Sequence, residues 1–185
     1  MGIVRGPDAS IVVGVSANLL ALPPRDRDGV MRVVIESPAG SRVKLKYASD
    51  LGAFVLSRPL VLGVSYPFDW GFVPGTRASD GDPVDAMVLL DAPTYPGVIV
   101  PCRPLALLEV EQDAKEGGGR QRNDRIIVEP TVARRTIVHL SDRLRQELEG
   151  FFHSVTLLEG KNVKILGWKE AAAADVLIDR SQCDR

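Results

Sequence analysis

The sequence predicts an α+β protein: a small, closed or nearly closed β-barrel with helices packed outside it. Three observations predict this. Short runs such as 84–90 and 97–110 carry apolar residues on both faces, as strands do when a sheet is covered on both sides. Gly and Pro recur at short intervals through the first half of the chain, which keeps the strands short. After residue 140 the apolar spacing changes from alternation to a helical period.

The elements follow in order. "IVVGVSANLLAL" (11–22) is too short to span a membrane and contains Gly, Ser and Asn. It also lacks the strong basic start and small-residue cleavage site of a signal peptide, although Arg5 precedes it. It reads as an N-terminal arm or added strand, so residues 1–29 are set apart from a single domain spanning 30–185. "VMRVVIE" (30–36) is β-branched and strand-like, and "SPAG" (37–40) breaks it. "RVKLKY" (42–47) alternates, and "DLGAFVLSR" (50–58) opens with a turn and continues as a strand. Pro67, Gly71, Pro74 and Gly75 read as punctuation, and "KEGGGRQRND" (115–124) as a polar, glycine-rich, mobile loop. "RIIVEP" (125–130) and "NVKILGW" (162–168) are strands. In 141–155 the residues Leu144, Leu148, Phe151, Phe152 and Val155 share one helical face, with Ser141 as N-cap. "KEAAAADVLIDR" (169–180) is a second helix.

Composition excludes several function classes. The chain has 185 residues, 45% of them hydrophobic, which is enough for one core. Its 23 Lys+Arg balance 24 Asp+Glu, so no global basic field points to nucleic acid. No stretch is long and apolar enough to predict a membrane span. The two cysteines, Cys102 and Cys183, have no metal-ligand spacing, which fits a reduced, cytoplasmic protein.

The chemistry concentrates in "ASDGDPVDAMVLLDAP" (78–93). Asp80, Asp82 and Asp85 press against the start of a buried strand, and a carboxylate there is costly unless a cation pairs with it. Gly81 allows the tight turn that brings Asp80 and Asp82 together, and Pro83 stiffens it. Carboxylates so grouped suit a hard divalent cation such as Mg²⁺. An EF-hand is excluded by Pro83 and Val84, and an aspartyl-phosphate phosphatase by the "RAS" that precedes the cluster where an apolar strand is required. The plain alternative is an acidic surface turn without function.

"DGDPVDAMVLL" resembles the signature of the soluble Mg²⁺-dependent inorganic pyrophosphatases. "VVIESPAG" (33–40), "YPFDWGFVPGT" (66–76), "PGVIVPCRP" (96–104) and "GKNVKILGW" (160–168) resemble further family segments in the right order. The resemblance implies a closed five-stranded, OB-like β-barrel with two flanking helices. It implies hydrolysis of inorganic diphosphate to two phosphates with Mg²⁺, or with Mn²⁺ or another divalent cation, in a homo-oligomer. By position it implies Asp80, Asp82 and Asp85 as metal ligands, with Asp82 also accepting a proton from the attacking water, and Glu36 supporting that network. Lys44, Arg58 and Tyr66 match phosphate-binding positions, and Arg125 stands in for a lysine. Apart from the resemblance, Lys44 and Arg58 would read as solvated charges, Tyr66 as a core aromatic and Glu36 as a plain strand end.

The chain departs from the family pattern on one side of the site. Lys46 stands where an acid is expected, and Trp70 where a tyrosine is. Gln112 and Asn123 stand where metal-binding aspartates are, with Asp113 and Asp124 one residue away. A one-residue shift turns a strand side chain to the other face, so those aspartates serve only if a bulge intervenes. Val155 and Thr156 replace a phosphate-binding Tyr-Lys pair, and Lys161 comes too late to take that place. Three functions are therefore carried forward. One is a diphosphatase slowed by its altered site; the second is a protein of the same fold that binds a phosphate ligand or a partner with little or no hydrolysis; the third is a hydrolase for a different phosphoanhydride.

Overall fold

The computed structural model describes residues 18–114, 118–132 and 139–183. The strands are β1 (Met31–Ser37), β2 (Val43–Ala48), β3 (Ala53–Pro59), β4 (Asp69–Phe72), β5 (Asp85–Val88), β6 (Ile99–Asp113), β7 (Arg120–Arg122), β8 (Arg125–Pro130) and β9 (Lys164–Glu170). The helices are α1 (Asp142–Thr156) and α2 (Ala171–Arg180). The architecture is a mixed seven-stranded sheet with two helices, and β2–β3 form a separate two-stranded sheet. Along the large sheet the order is β1-β4-β5-β8-β6-β7; β9 pairs with β6, and β1 pairs with β6 as well as with β4. Only β5 and β8, among these pairings, run parallel.

Alternation in the central strands builds two cores. In β5, Ala86 and Val88 join the cluster that α2 covers with Ala174, Leu177 and Ile178, while Met87 joins the cluster under α1. In β8, Ile126 and Val128 go with the first and Ile127 with the second. This is why those runs are apolar on both faces. The predicted stripe of α1 packs as expected: Leu148, Phe152 and Val155 are buried, with Leu144 and Phe151 partly buried beside them. Ser141 Oγ accepts the backbone N–H of Leu144 at 3.2 Å, capping the helix.

The large sheet has seven strands, β7 and β9 lying beyond the five of β1, β4, β5, β8 and β6. Two expectations are corrected. Gly71, expected to be punctuation, lies inside β4, because it is selected for contact rather than for a turn. A Cβ at Gly71 would lie 1.9 Å from the Val34 carbonyl oxygen of β1. The supposed loop at 115–124 contains β7, paired with the end of β6; residues 115–117 lie outside the described residues. The arm at 11–22 also lies outside them as far as residue 17. Its described end forms a 3-10 turn, Leu19–Ala21.

Candidate active site

One cavity of about 330 Å³ gathers the acidic loop and the cations opposite it. The loop is a closed turn: Ala78 N–H donates to the Asp82 carbonyl at 2.8 Å and Gly81 N–H to the Ala78 carbonyl at 3.0 Å. Gly81 takes φ +85°, the left-handed conformation expected of it. Asp80, Asp82 and Asp85 all line the cavity, with Asp85 at the first position of β5. The parallel register sets Asp85 beside Arg125 of β8.

The opposite wall comes from the β2–β3 hairpin. Lys44 pairs in register with Arg58, and both line the cavity. Glu36 of β1 ties the hairpin down: its carboxylate accepts the Tyr47 N–H at 2.8 Å, while Ser37 Oγ accepts the Leu45 N–H at 2.9 Å. Tyr66 is buried against Trp70 and Phe151, with ring centroids at 6.1 and 5.4 Å. Tyr66 lines a smaller adjoining cavity whose wall it shares with Lys44, Arg58, Asp85 and Arg125. The structure thus brings together Glu36, Lys44, Arg58, Tyr66, Asp80, Asp82, Asp85 and Arg125 around two adjoining cavities.

Burial sets the electrostatics. It pushes the Glu36 carboxyl up to about 7, against the opposing backbone hydrogen bond from Tyr47. Burial also raises the Asp85 carboxyl, offset by Lys44 and Arg125, and lowers the Lys44 ammonium, offset first by Asp85. Burial raises the Tyr66 phenol, although a hydrogen bond with Ser37 opposes this. Arg125 is lowered by burial but remains a cation; its Nη1 donates to the Asn123 carbonyl at 3.0 Å, and the guanidinium lies 5.0 Å from the Phe152 ring centroid.

The substituted positions have definite placements. Lys46 Nζ lies 3.3 Å from Asp82 Oδ2, both side chains being over 40% exposed. Asn123 lines both cavities. Asp124 faces away, accepting from Val110 N–H at 2.9 Å and from Arg122, on a separate cavity of about 960 Å³. Asp113 is paired with Arg120 at 2.8 Å and with Asn162, outside the site. β6 does contain irregularities at Pro104/Ala106 and Glu109/Val110, but they bring neither aspartate round. Gln112 is fully buried, and its amide has no hydrogen-bond partner among the described residues. Trp70 packs, as most tryptophans do, and His139 and His153 are exposed outside both cavities.

Glu159 escapes the sequence reading, and Lys161, expected to come too late to serve, reaches the site after all. Glu159 and Lys161 line both cavities, ion-paired to each other, and Glu159 also pairs with Arg58. Gly160 between them has φ +63°, so the chain reverses and both side chains turn inward. The signal was the Glu-Gly-Lys triplet at the end of α1.

The family model for inorganic pyrophosphatase matches residues 33–184. The chain belongs to the inorganic pyrophosphatase family. An inorganic pyrophosphatase from Synechocystis is 37% identical over 167 residues, covering 88% of this chain and 95% of that protein. Another from Thermus thermophilus is 39% identical over 168 residues, covering 85% and 92%. The crystal structure of a Thermus thermophilus inorganic pyrophosphatase superposes with a TM-score of 0.79 at 37% identity, covering 89% of this chain and 97% of the other. One from Coxiella burnetii gives 0.77 at 31% identity, covering 86% and 97%. Pyrophosphatases of this family depend on divalent metal. Five carboxyl side chains, Glu36, Asp80, Asp82, Asp85 and Glu159, line the cavity; those of the acidic loop are a hard-oxygen donor set of the kind such an ion takes, although among the described residues no three His, Cys, Asp or Glu side chains lie close enough together to form a metal site. No helix among the described residues is long and apolar enough to cross a membrane.

Proposed function

We infer that this chain hydrolyses inorganic diphosphate to two phosphates with divalent metal, and that Mg²⁺ is the ion. The observation that carries this reading is the single cavity in which Asp80, Asp82 and Asp85 face Lys44 and Arg58. Asp80, Asp82 and Asp85 would hold the metal, which when bound supplies a water acidified enough to attack phosphorus. Asp82 takes the proton of that water, and Glu36 supports the network from beneath the hairpin. Lys44, Arg58 and Arg125 hold the phosphoryl oxygens, and Tyr66, kept protonated by burial, donates a hydrogen bond to them.

The reaction is slower than in a family member with the full acidic set. Lys46 engages Asp82, Asn123 supplies an amide where a carboxylate is expected, and Val155 and Thr156 bring no charge. A phosphate-binding protein without hydrolysis draws on the same substitutions, with no observation of its own in favour. The chain of pairings β1-β4-β5-β8-β6 and back to β1 supports the closed barrel of five strands. We also propose a single domain from residue 30 onward with residues 1–29 as an arm, a homo-oligomer, and a cytoplasmic location consistent with free Cys102 and Cys183. The test is phosphate release from diphosphate with Mg²⁺ against an Asp82→Asn control. Release that is lost in the control supports the reading; none from the native chain, or equal release from both, overturns it.

A further inference from the structure

We propose that Glu159 is a built-in competitor for the incoming phosphoryl group. Its carboxylate holds Arg58 and Lys161 together in the ligand-free protein, and a phosphoryl group must displace it to reach either cation. The inference rests on the diphosphatase reading of this cavity and names what sets its selectivity for anions.

Three observations carry it. First, Glu159 ion-pairs with both Arg58 and Lys161, and all three side chains line the same two cavities. The triad is shielded: the Glu159 side chain is 15% exposed, Arg58 26% and Lys161 27%. Second, the geometry of the turn enforces it. The 3-10 turn Leu157–Glu159 ends on left-handed Gly160, which points residues 159 and 161 to the same side, while Arg58 reaches across from β3 and is anchored on the Val155 carbonyl at 3.0 Å. Third, the neighbouring positions offer no replacement. Val155 is apolar, and the Thr156 hydroxyl is spent inside α1, donating to the Phe152 carbonyl at 2.8 Å. On this wall a phosphoryl group therefore finds Arg58 and Lys161 already holding a carboxylate.

The chemistry follows from charge. A carboxylate and a monoanion exchange like for like, so a monoanion gains nothing by displacing Glu159. A phosphoryl group with two or more negative charges offers each cation a stronger acceptor and wins the exchange. Glu159 thus filters anions by charge and lowers the affinity for all of them.

Calorimetry with inorganic phosphate in a chelator, at low ionic strength and pH 8, tests this. Glu159→Gln is expected to tighten phosphate binding by about tenfold or more, since a charge-assisted pair no longer has to be broken. Nitrate, a monoanion, should compete with phosphate in the variant and not in the native protein. Glu159→Ala should act in the same direction, and the gain should shrink in an Arg58→Gln background, where only Lys161 is left to be freed. If the native protein hydrolyses diphosphate but both variants bind phosphate equally or more weakly, Glu159 positions the cations and the competitor proposal is wrong. If neither native protein nor variants bind phosphate or diphosphate, with or without Mg²⁺, the diphosphatase reading falls with it.

Discussion

Replacing Lys46 by Gln removes one positive charge from beside the acidic loop proposed to hold metal, without adding another ligand. Lys46 Nζ sits 3.3 Å from Asp82 Oδ2, so any divalent cation on Asp82 is a near neighbour of the ammonium. A monocation and a dication ~4 Å apart repel by about 2 kcal/mol at the dielectric of water and about 8 kcal/mol at an effective value of 20. Both Lys46 and Asp82 are more than 40% exposed, which places the interaction near the lower figure. Freeing Asp82 from its surface ion pair adds at most ~1 kcal/mol. The sum, about 2–3 kcal/mol, corresponds to Mg²⁺ binding tighter by roughly 30- to 150-fold. Lys46→Glu, which restores an acid, should exceed this. Lys46→Glu should also weaken any metal-free binding of phosphate, because Lys46 is one of the cations on that wall. Calorimetric titration of Mg²⁺ into the folded variants, with phosphate titrated separately in a chelator, reads both effects. Unchanged Mg²⁺ affinity in both folded variants would refute the idea that Lys46 competes with metal.

The other predictions concern burial and contact. Asn123→Asp should tighten Mg²⁺ binding by about tenfold, measured by the same titration, since Asn123 lines both cavities. Gln112→Asp, at a fully buried position without hydrogen-bond partners, should instead destabilise the fold by ~3 kcal/mol or more in denaturant melts. Glu36 holds its proton up to about pH 7, whereas an ordinary glutamate loses it near 4.5. Its contribution to stability is therefore full below about 4.5 and lost as pH rises through about 7. Glu36→Gln should abolish that slope and stabilise the metal-free protein at pH 8 by on the order of 3 kcal/mol, read by chemical denaturation in a chelator. Gly71→Ala should prevent β1 and β4 from pairing, with loss of the cooperative thermal transition, because its Cβ would meet the Val34 carbonyl oxygen at 1.9 Å.

What the sequence showed and what it hid follow from the range of the signals. The apolar runs, the stripe of α1 and the Asp-Gly-Asp-Pro-Val-Asp loop are local, and each is where the pattern placed it. β4 was missed because Gly71 answers to a strand far away in sequence, not to its neighbours. The pairing of Lys46 with Asp82 spans 36 positions and that of Arg58 with Glu159 spans 101, so neither leaves a local trace. The ambiguity over Asp113 and Asp124 was one of facing. Between β7 and β8, Arg122 and Asp124 turn to one cavity and Asn123 and Arg125 to the other, and only the backbone pairing fixes which.

The two internal pairings in the cavity have one consequence in common. Asp82, proposed to hold metal, is engaged by Lys46; Arg58 and Lys161, proposed to meet a phosphoryl group, are engaged by Glu159. Binding at either place is an exchange of partners rather than the filling of a vacant charge. An exchange gains only the difference between the old pair and the new one, so affinities are lower than the number of charged groups implies. The two exchanges also reinforce each other. With Asp82 engaged by a metal, the Lys46 ammonium would be left to a phosphoryl oxygen, whose charge would in turn offset the repulsion between ammonium and metal. Metal and diphosphate should therefore bind with positive coupling, each tightening the other by the same factor. Removing Lys46 should reduce that coupling even as it tightens metal alone. Calorimetry of Mg²⁺ with and without a non-hydrolysable diphosphate analogue, in the native protein and Lys46→Gln, measures the factor directly. An equal factor in both proteins would show that the lysine takes no part in the exchange.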